Sequence, residues 1–154
     1  MPEALFYHLE RRSLEDVLPG LLERTRERDW RAVVRVGSAE RMQALDSHLW
    51  TYSEQTFLAH GTAAEGHAEL QPIYLTTEEE NPNGAQVLFL VDGAAPRDWR
   101  AAALQDYVRV VLLFDGRDDA ALSAARAHWR SAKEAGHEAT YWKQSAAGKW
   151  EKQA

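Results

Sequence analysis

Residues Ala32-Val33-Val34-Arg35-Val36 are typical of a buried β-strand, and the tight turn Gly37-Ser38 follows at once. After the turn, apolar residues recur at the spacing of one helix face as far as Trp50, which predicts an amphipathic helix. Ser38 is suited to accept a hydrogen bond from a free amide at the start of that helix. A strand, a tight turn and a helix in this order are the first half of a βαβ unit, so we expect a parallel sheet.

An aromatic loop follows this helix and reads Thr56-Phe57-Leu58-Ala59-His60-Gly61. Trp50 and Phe57 are large apolar side chains in loop-like sequence, so each either closes the core or faces a partner. A single aromatic side chain is usually part of the core, whereas several together on a surface mark a binding patch. The sequence leaves both alternatives open.

Similar patterns recur along the rest of the chain. Strands are predicted at residues 4–9, 72–75, 86–91 and 108–114, with a final edge strand at 137–142. Helices are predicted from about 19 to 29, from 96 to about 104 and from about 118 to 135. Proline is costly inside a helix, so we place the first helix after a separate turn that ends at Pro19; the alternative is one kinked helix.

Strands that alternate with helices predict a single α/β domain. The expected architecture is a three-layer α/β/α, Rossmann-like fold with a mostly parallel central sheet. We assign residues 1–143 to this domain and residues 144–154 to a polar C-terminal tail that frays. A length of 154 residues suits one domain with a real core, and 45% hydrophobic and 27% charged residues are ordinary for a globular protein.

Composition also restricts the cellular setting. The absence of cysteine excludes disulfides, thiolate metal sites and cysteine nucleophiles. No apolar run approaches the roughly 18 residues of a membrane span, and no charged-then-apolar leader opens the chain. We therefore expect a cytoplasmic protein without a membrane partner.

Charge is unevenly distributed along the chain. The net charge is −6, but residues 120–154 contain six basic and three acidic residues, which gives them +3 and leaves −9 for residues 1–119. An acidic body argues against strong direct binding to nucleic acid, while the basic end indicates one local site for an anionic partner.

Three predicted strands end in Gly or Asp-Gly, at Gly37, Asp92-Gly93 and Asp115-Gly116. The carboxyl edge of a parallel sheet is where ligands bind in open α/β folds, so a nucleotide-binding protein or an enzyme that uses this edge is one alternative. Neither G-x-G-x-x-G nor G-x-x-x-x-G-K-[ST] occurs in the chain, however. Asp and Gly are also ordinary turn residues.

No motif predicts a metal site, a cofactor or a catalytic centre. The six histidines are scattered without the H-E-x-x-H or a comparable ligand spacing. No serine lies in a G-x-S-x-G elbow, and no carboxylate pair stands out as an acid and base. We therefore expect no cofactor, no metal and no activity of the chain's own.

The last predicted helix carries a basic face. Arg126, Arg130 and Lys133 occur at i, i+4 and i+7, Trp129 lies on the adjoining face, and Leu122 is one turn before Arg126. A guanidinium beside an apolar surface can hold a carboxylate while the surface takes a hydrophobic side chain, which suits an acidic peptide that ends in a large apolar residue. The alternative is a solvated basic face with Trp129 in the core.

An ordered set of residues resembles the chi subunit of bacterial DNA polymerase III, an accessory subunit of the clamp-loader complex. The resemblance covers nearly the whole chain. It is carried by Phe6-Tyr7, Trp30, Leu49-Trp50, Phe57, His60, Pro72-Ile73-Tyr74-Leu75, the Asn83-Gly84 turn into Val87-Leu88-Phe89-Leu90, and Arg126, Trp129-Arg130 and Ala135-Gly136 at the last helix. The resemblance implies a non-catalytic adaptor with a fold similar to mononucleotide-binding domains.

The resemblance also implies partners. Family members bind the acidic, Phe-terminated C-terminal tail of single-stranded DNA-binding protein (SSB) and so link the clamp loader to coated template in the replisome at the nucleoid. The tail-binding arginine matches Arg126, the aromatic one turn on matches Trp129, and the next basic residue matches Arg130. A family lysine one turn earlier is replaced here by Leu122, which removes one positive charge from the site.

A second implied surface faces the psi subunit of the clamp loader, or an equivalent subunit. It contains the tryptophan and phenylalanine that match Trp50 and Phe57, with Leu58 and His60 beside them. A direct nucleic-acid binder that uses the basic last helix is a further alternative.

Overall fold

Strands and helices alternate through residues 1–53 and 57–154, which are the residues described by the computed structural model. The strands are β1 (Glu3–Leu9), β2 (Ala32–Val36), β3 (Ile73–Thr76), β4 (Val87–Val91), β5 (Arg109–Asp115), β6 (Glu138–Gln144) and β7 (Trp150–Lys152). The helices are α1 (Leu14–Glu27), α2 (Ala39–Thr51) and α3 (Asp119–Glu134), with short 3₁₀ helices at Ala63–Glu65, Ala68–Leu70 and Ala102–Asp106. Thr56, the first residue of the predicted aromatic loop, lies outside the described residues.

The strands form one sheet in the order β3-β2-β4-β5-β1-β6-β7. Neighbouring strands are parallel except β6 and β7, which are antiparallel. Helices α1 and α2 contribute to the core on one face of the sheet, and α3 contributes to the core on the other face. The predicted three-layer α/β/α fold with a mostly parallel sheet is therefore confirmed.

The central strands β2 and β4 are buried on both faces, and they are apolar apart from Arg35 in β2. In β2, Val33 belongs to the core under α3 and Val34 to the core under α1 and α2, and both are fully buried. In β4, Leu88 belongs to the core under α3 and Phe89 to the core under α1 and α2. Burial on both faces is typical of parallel sheets and explains why no alternation appears in these strands.

Helix α1 contains Pro19, so the predicted start of this helix at Pro19 is wrong and the alternative of one helix is the better description. The helix begins at a capping box in which Ser13 and Asp16 satisfy each other's backbone amides. Proline lacks the N–H that would bond to the carbonyl of Glu15, four residues earlier. The Nε2 of His48, in α2, lies 2.7 Å from that carbonyl oxygen and supplies the missing donor.

The helix predicted over 96–104 is also wrong, apart from its last residues, because only Ala102–Asp106 form a short 3₁₀ helix. Trp99 is buried, and its carbonyl oxygen lies 2.7 Å from Nε2 of His137. Its indole Nε1 donates to Nδ1 of His128 over 3.1 Å. A contact with His137 therefore uses the carbonyl oxygen of Trp99, which in a regular helix would accept a backbone hydrogen bond. The contact of the indole with His128 fixes the side chain.

The C-terminal residues were predicted to fray, but they are paired with the sheet. Strand β7 pairs with β6, so β6 is an inner strand and not the predicted edge. The backbone pairing continues to Gln153 and Ala154, which bond to Tyr141 over 2.7 and 3.1 Å. The ring of Trp150 packs 4.6 Å from that of Tyr7, and this contact ties the hairpin to the sheet.

No helix in the described ranges, 1–53 and 57–154, combines the length and the apolar character needed to cross a membrane.

Candidate functional site

Helix α3 sits close against the sheet because its inward residues are small. Ala125 and Ala132 are buried, and Asp118 caps the helix by accepting hydrogen bonds from the amides of Ala120 and Ala121 at 3.0 and 3.3 Å. This close packing leaves the larger side chains of α3 on its outer faces, beside β6.

Trp129 combines the two alternatives that the sequence left open. Its ring is half-buried and meets Phe6 and Tyr141 edge-on, at centroid distances of 5.6 and 6.0 Å. The Nζ of Lys133 lies 4.9 Å from the same ring, in cation–π geometry. Trp129 therefore packs on the core and still contributes an accessible apolar surface.

The predicted basic residues lie on the same helix as this ring. Arg126, Arg130 and Lys133 are exposed, and none of them forms an ion pair within the described part of the chain. Leu122, one turn before Arg126, is half-buried and packs on the same core as Trp129. We call these five residues the α3 face: unpaired cations beside a partly exposed apolar surface.

Two residues of β6 extend the α3 face, and the sequence reasoning missed both. Tyr141 contacts Trp129 and also lies with its hydroxyl 2.5 Å from Nδ1 of His8. Lys143 is two residues further on, so it points to the same face of the sheet, and its Nζ lies 3.3 Å from Glu10. The alternation of Tyr141 and Lys143 in a strand paired with β1 is the signal that could have identified them.

Electrostatic effects link this strand to α3. Burial lowers the pKa of His8, the hydrogen bond with Glu10 opposes this, and the charges of Lys143 and Arg126 lower the pKa further. A neutral His8 accepts from the Tyr141 hydroxyl at Nδ1 and donates to Glu10 at Nε2, over 3.2 Å. Lys143 and Arg126 therefore both act on His8, and the charge of Lys143 is itself paired with Glu10.

The second predicted surface is built around Trp50 and Phe57. Trp50 is 47% exposed and Phe57 is 67% exposed, with their ring centroids 5.5 Å apart. Two large rings in contact and open to solvent form an apolar patch that the core does not need. Both rings are therefore open to solvent and do not close the core.

Leu58 and His60 lie beneath this patch and are buried. The ring of His60 stacks 4.4 Å from that of Trp50, and its Nδ1 lies 2.7 Å from the carbonyl oxygen of Leu58. Its Nε2 lies 3.1 Å from both the carbonyl oxygen and Oδ1 of Asp46, in α2. His60 therefore supports the exposed ring of Trp50, and both predicted site residues, Leu58 and His60, are buried.

A cavity of about 580 Å³ lies at the carboxyl edge of the sheet, where β1, β4 and β5 end. Among its lining residues are three arginines, four carboxylates and His128: Arg12, Arg41, Arg117, Glu15, Asp92, Asp115, Asp118 and His128. This position is the one at which the sequence allowed a nucleotide or substrate.

Two of the three arginines of this cavity are already paired with its carboxylates, and Arg12 donates to the backbone carbonyl oxygen of Asp16 over 2.9 Å. Arg41 forms ion pairs with Glu15 and with Asp92, the latter at 3.2 Å, and its hydrogen bond to Glu15 raises its pKa. Arg117 is 3.2 Å from Asp115, whose pKa is lowered by the backbone amide of Arg117 and by the guanidinium itself. The helix starts that border the cavity are capped by the protein's own side chains, so few donors are left for a phosphate.

The loop after β2 further closes this edge. A Cβ on Gly37 would lie 1.9 Å from the carbonyl oxygen of Asp92, so only glycine permits the close approach of the two loops. A Cβ on Gly116 would meet the imidazole of His8 at 1.9 Å. Gly37 and Gly116 therefore serve packing, whereas Gly93 has open space around it and a φ of 87° that favours glycine in a turn.

In the described ranges, no group of three or more His, Asp or Glu side chains is arranged to hold a metal ion.

Comparison with known proteins agrees with this architecture. The family described as "DNA polymerase III chi subunit, HolC" matches residues 1–140. A protein of Rickettsia prowazekii (strain Madrid E), named "Probable DNA polymerase III subunit chi", is 28% identical over 111 residues. That match covers 71% of this chain and 66% of the relative. The family match spans most of the chain, including the Trp50 and Phe57 patch and the α3 face, and the chain belongs to the DNA polymerase III chi subunit family.

Proposed function

We propose that this protein is a non-catalytic adaptor of the replisome that binds the acidic, Phe-terminated C-terminal tail of SSB through the α3 face. The single observation that supports this proposal best is the presence of three unpaired cations on the helix that carries the half-exposed ring of Trp129, with Lys133 over that ring. The terminal carboxylate and the acidic side chains of the tail pair with Arg126 and Arg130. The terminal Phe is buried beside Trp129 and Leu122.

Energetics indicate how the affinity divides between charge and burial. Each exposed ion pair contributes about 0–1 kcal/mol, whereas full burial of a Phe side chain contributes about 1.5–3 kcal/mol. We therefore expect weak to moderate binding that falls with added salt. Binding becomes stronger when several tails are offered together, because the second contact is then intramolecular.

The first experiment is a titration of a fluorescent SSB tail peptide with the protein. We expect saturable binding that requires the terminal Phe and that weakens about tenfold or more in Arg126→Ala. The proposed hydrogen bond from Arg126 to the terminal carboxylate lies beside the buried Phe, so it contributes about 1.5–3 kcal/mol and not the 0–1 kcal/mol of a fully exposed ion pair. Arg97→Ala is the matched control, because Arg97 is exposed and lies outside the α3 face. Equal affinity of Arg126→Ala and the parent protein would refute the placement of the site.

We further propose that Trp50 and Phe57 form the surface for a clamp-loader subunit, psi or an equivalent. Their mutual contact and high exposure support a docking role. Phe57→Ala is expected to leave the free energy of unfolding within about 0.5 kcal/mol, as for other exposed positions, and to weaken capture of clamp-loader subunits. Leu58→Ala is the contrasting variant, because loss of this buried side chain costs about 2–5 kcal/mol of stability. Capture that survives in Phe57→Ala at full strength would refute this surface.

The carboxyl-edge cavity supports a second candidate, a nucleotide-binding protein, through its position alone. Thermal unfolding with and without millimolar nucleotide tests it. Stabilisation that is lost in Arg41→Ala would favour the nucleotide candidate over the adaptor.

A further inference from the structure

A separate, smaller cavity of about 180 Å³ lies on the opposite face of the sheet from α3. It is enclosed by the second half of α1 and by residues near the amino ends of β4 and β5. Its floor is apolar, formed by Leu21, Val87, Phe89 and Val111. The volume is suited to one side chain of the size of Leu or Phe.

The rim of this cavity carries three guanidinium groups. Arg28 and Arg109 both lie against the ring of Trp30, with guanidinium carbons 5.1 and 5.7 Å from its centroid. Arg24 is one turn before Arg28 on α1, so it lines the same opening. Cation–π contact with Trp30 restricts two of the three groups and reduces the entropy that a ligand would otherwise have to remove.

Arg24 and Arg28 on this rim lack the carboxylate partners that Arg41 and Arg117 have at the carboxyl edge. No carboxylate lines the cavity within the described ranges, and neither Arg24 nor Arg28 forms an ion pair there. Arg109 pairs with Glu3 at 3.1 Å, but the Glu3 side chain is 47% exposed and can exchange with another carboxylate. The cavity therefore presents a local excess of positive charge on an acidic protein.

Tyr7 adds a neutral donor to the same cavity. Its hydroxyl makes no hydrogen bond within the described structure, although burial raises the pKa of Tyr7 and keeps the phenol protonated. A protonated phenol beside guanidinium groups donates to an oxyanion.

The aromatic rings at this cavity are not available for base stacking. Two guanidinium groups occupy Trp30, the ring of Tyr7 packs against Trp150 at 4.6 Å, and Phe89 is buried in the floor. Single-stranded nucleic acid is bound through free aromatic faces, whereas guanidinium forks match carboxylates. We propose that this cavity is a second peptide site, which takes an acidic segment of a partner protein anchored by one Leu- or Phe-sized side chain.

The probe is a fluorescein-labelled peptide, Asp-Asp-Leu-Asp-Asp, blocked at both ends. It lacks the free terminal carboxylate and terminal Phe proposed for the α3 face, so the two sites are tested independently. The variant carries Arg24→Gln with Arg28→Gln. Arg97→Gln and Arg126→Ala are the controls, and a peptide with Gly in place of Leu tests the apolar floor.

We expect saturable binding that weakens about tenfold or more in the double variant, weakens with the Gly peptide and is unchanged in both controls. If the double variant does not fold, Arg24→Gln alone is measured, because the side chain of Arg24 makes no hydrogen bond in the described structure. If the double variant, or Arg24→Gln alone, binds the peptide as tightly as the parent protein does, the proposal is overturned. The arginines would then serve to stabilise the end of α1. Displacement of the peptide by a twelve-nucleotide oligothymidylate that depends on the same arginines would also overturn it, in favour of a nucleic-acid site.

Discussion

The carboxyl-edge cavity and the α3 face are both rich in arginine, but they differ in what surrounds the charge. At the cavity, Arg41 and Arg117 are held by carboxylates of the protein itself. On the α3 face, Arg126 and Arg130 have no such partner in the described part of the chain. The larger cavity therefore stabilises the fold, while the flatter surface is available to a partner. Unpaired charge, and not cavity size, distinguishes the two regions.

The largest expected effect concerns stability at the cavity. Gly37→Ala places a methyl group 1.9 Å from the carbonyl oxygen of Asp92, and we expect it to lower the free energy of unfolding by about 3 kcal/mol. Denaturant unfolding measures this loss. Gly20→Ala in α1 is the matched control: nothing lies within 4 Å of the added methyl group, so the change is expected to be neutral or to stabilise by up to about 1 kcal/mol. A Gly37→Ala protein as stable as the parent would show that this edge is not a packing region.

An intermediate effect separates affinity from stability. Arg41→Ala is expected to lower the free energy of unfolding by about 1 kcal/mol or less, because its ion pairs are partly exposed, and to leave SSB tail binding unchanged. Arg126→Ala is expected to do the opposite: affinity falls about tenfold and stability is preserved. Parallel tail titrations and denaturant curves for the two variants measure both quantities. If Arg41→Ala and Arg126→Ala change tail affinity and stability by the same amounts, the proposed difference between the cavity and the α3 face is wrong.

The smallest effect is a dependence of stability on pH. Burial lowers the pKa of His128 at the cavity and of His8 beside the α3 face. Below about pH 6.5 the unfolded chain takes up protons that the folded rings resist, so stability is greatest above this pH and declines as the pH falls.

Denaturant curves between pH 7 and 5.5 measure this decline. His128→Gln is expected to reduce the slope, whereas His67→Asn, at an exposed loop position, serves as the control. A free energy of unfolding that stays constant across this range, or an unchanged slope in His128→Gln, would contradict the assignment.

Local sequence pattern was sufficient to predict the sheet and most helices. Burial on both faces makes β4 a continuous apolar run and β2 apolar apart from Arg35, and the spacing of apolar residues identifies α2 and α3. The errors fall where distant contacts override local preference. The carbonyl of Trp99 is engaged by His137, and β7 is held by the packing of Trp150 on Tyr7. Neither contact can be inferred from neighbouring residues.

The candidate sites were also predicted in part: residues that share one helix were found, and residues brought in by strand pairing were not. The spacing on α3 identified Arg126, Trp129 and Lys133 because one helix presents them together. Tyr141 and Lys143 were missed, since they reach the α3 face only through the pairing of β6 with β1. Exposure could not be predicted for Trp50 and Phe57, because the same residue types occur in cores and in interfaces.

The hydrogen bond between His48 and the carbonyl oxygen of Glu15 has a consequence for evolution. The carbonyl is free only because Pro19 lacks an amide hydrogen, so the histidine in α2 compensates for a proline in α1. In a related chain with an ordinary residue at position 19, that carbonyl would be satisfied within its own helix, and a donor at position 48 would no longer be required. Positions 19 and 48 are therefore expected to covary among relatives, although 29 residues separate them in sequence.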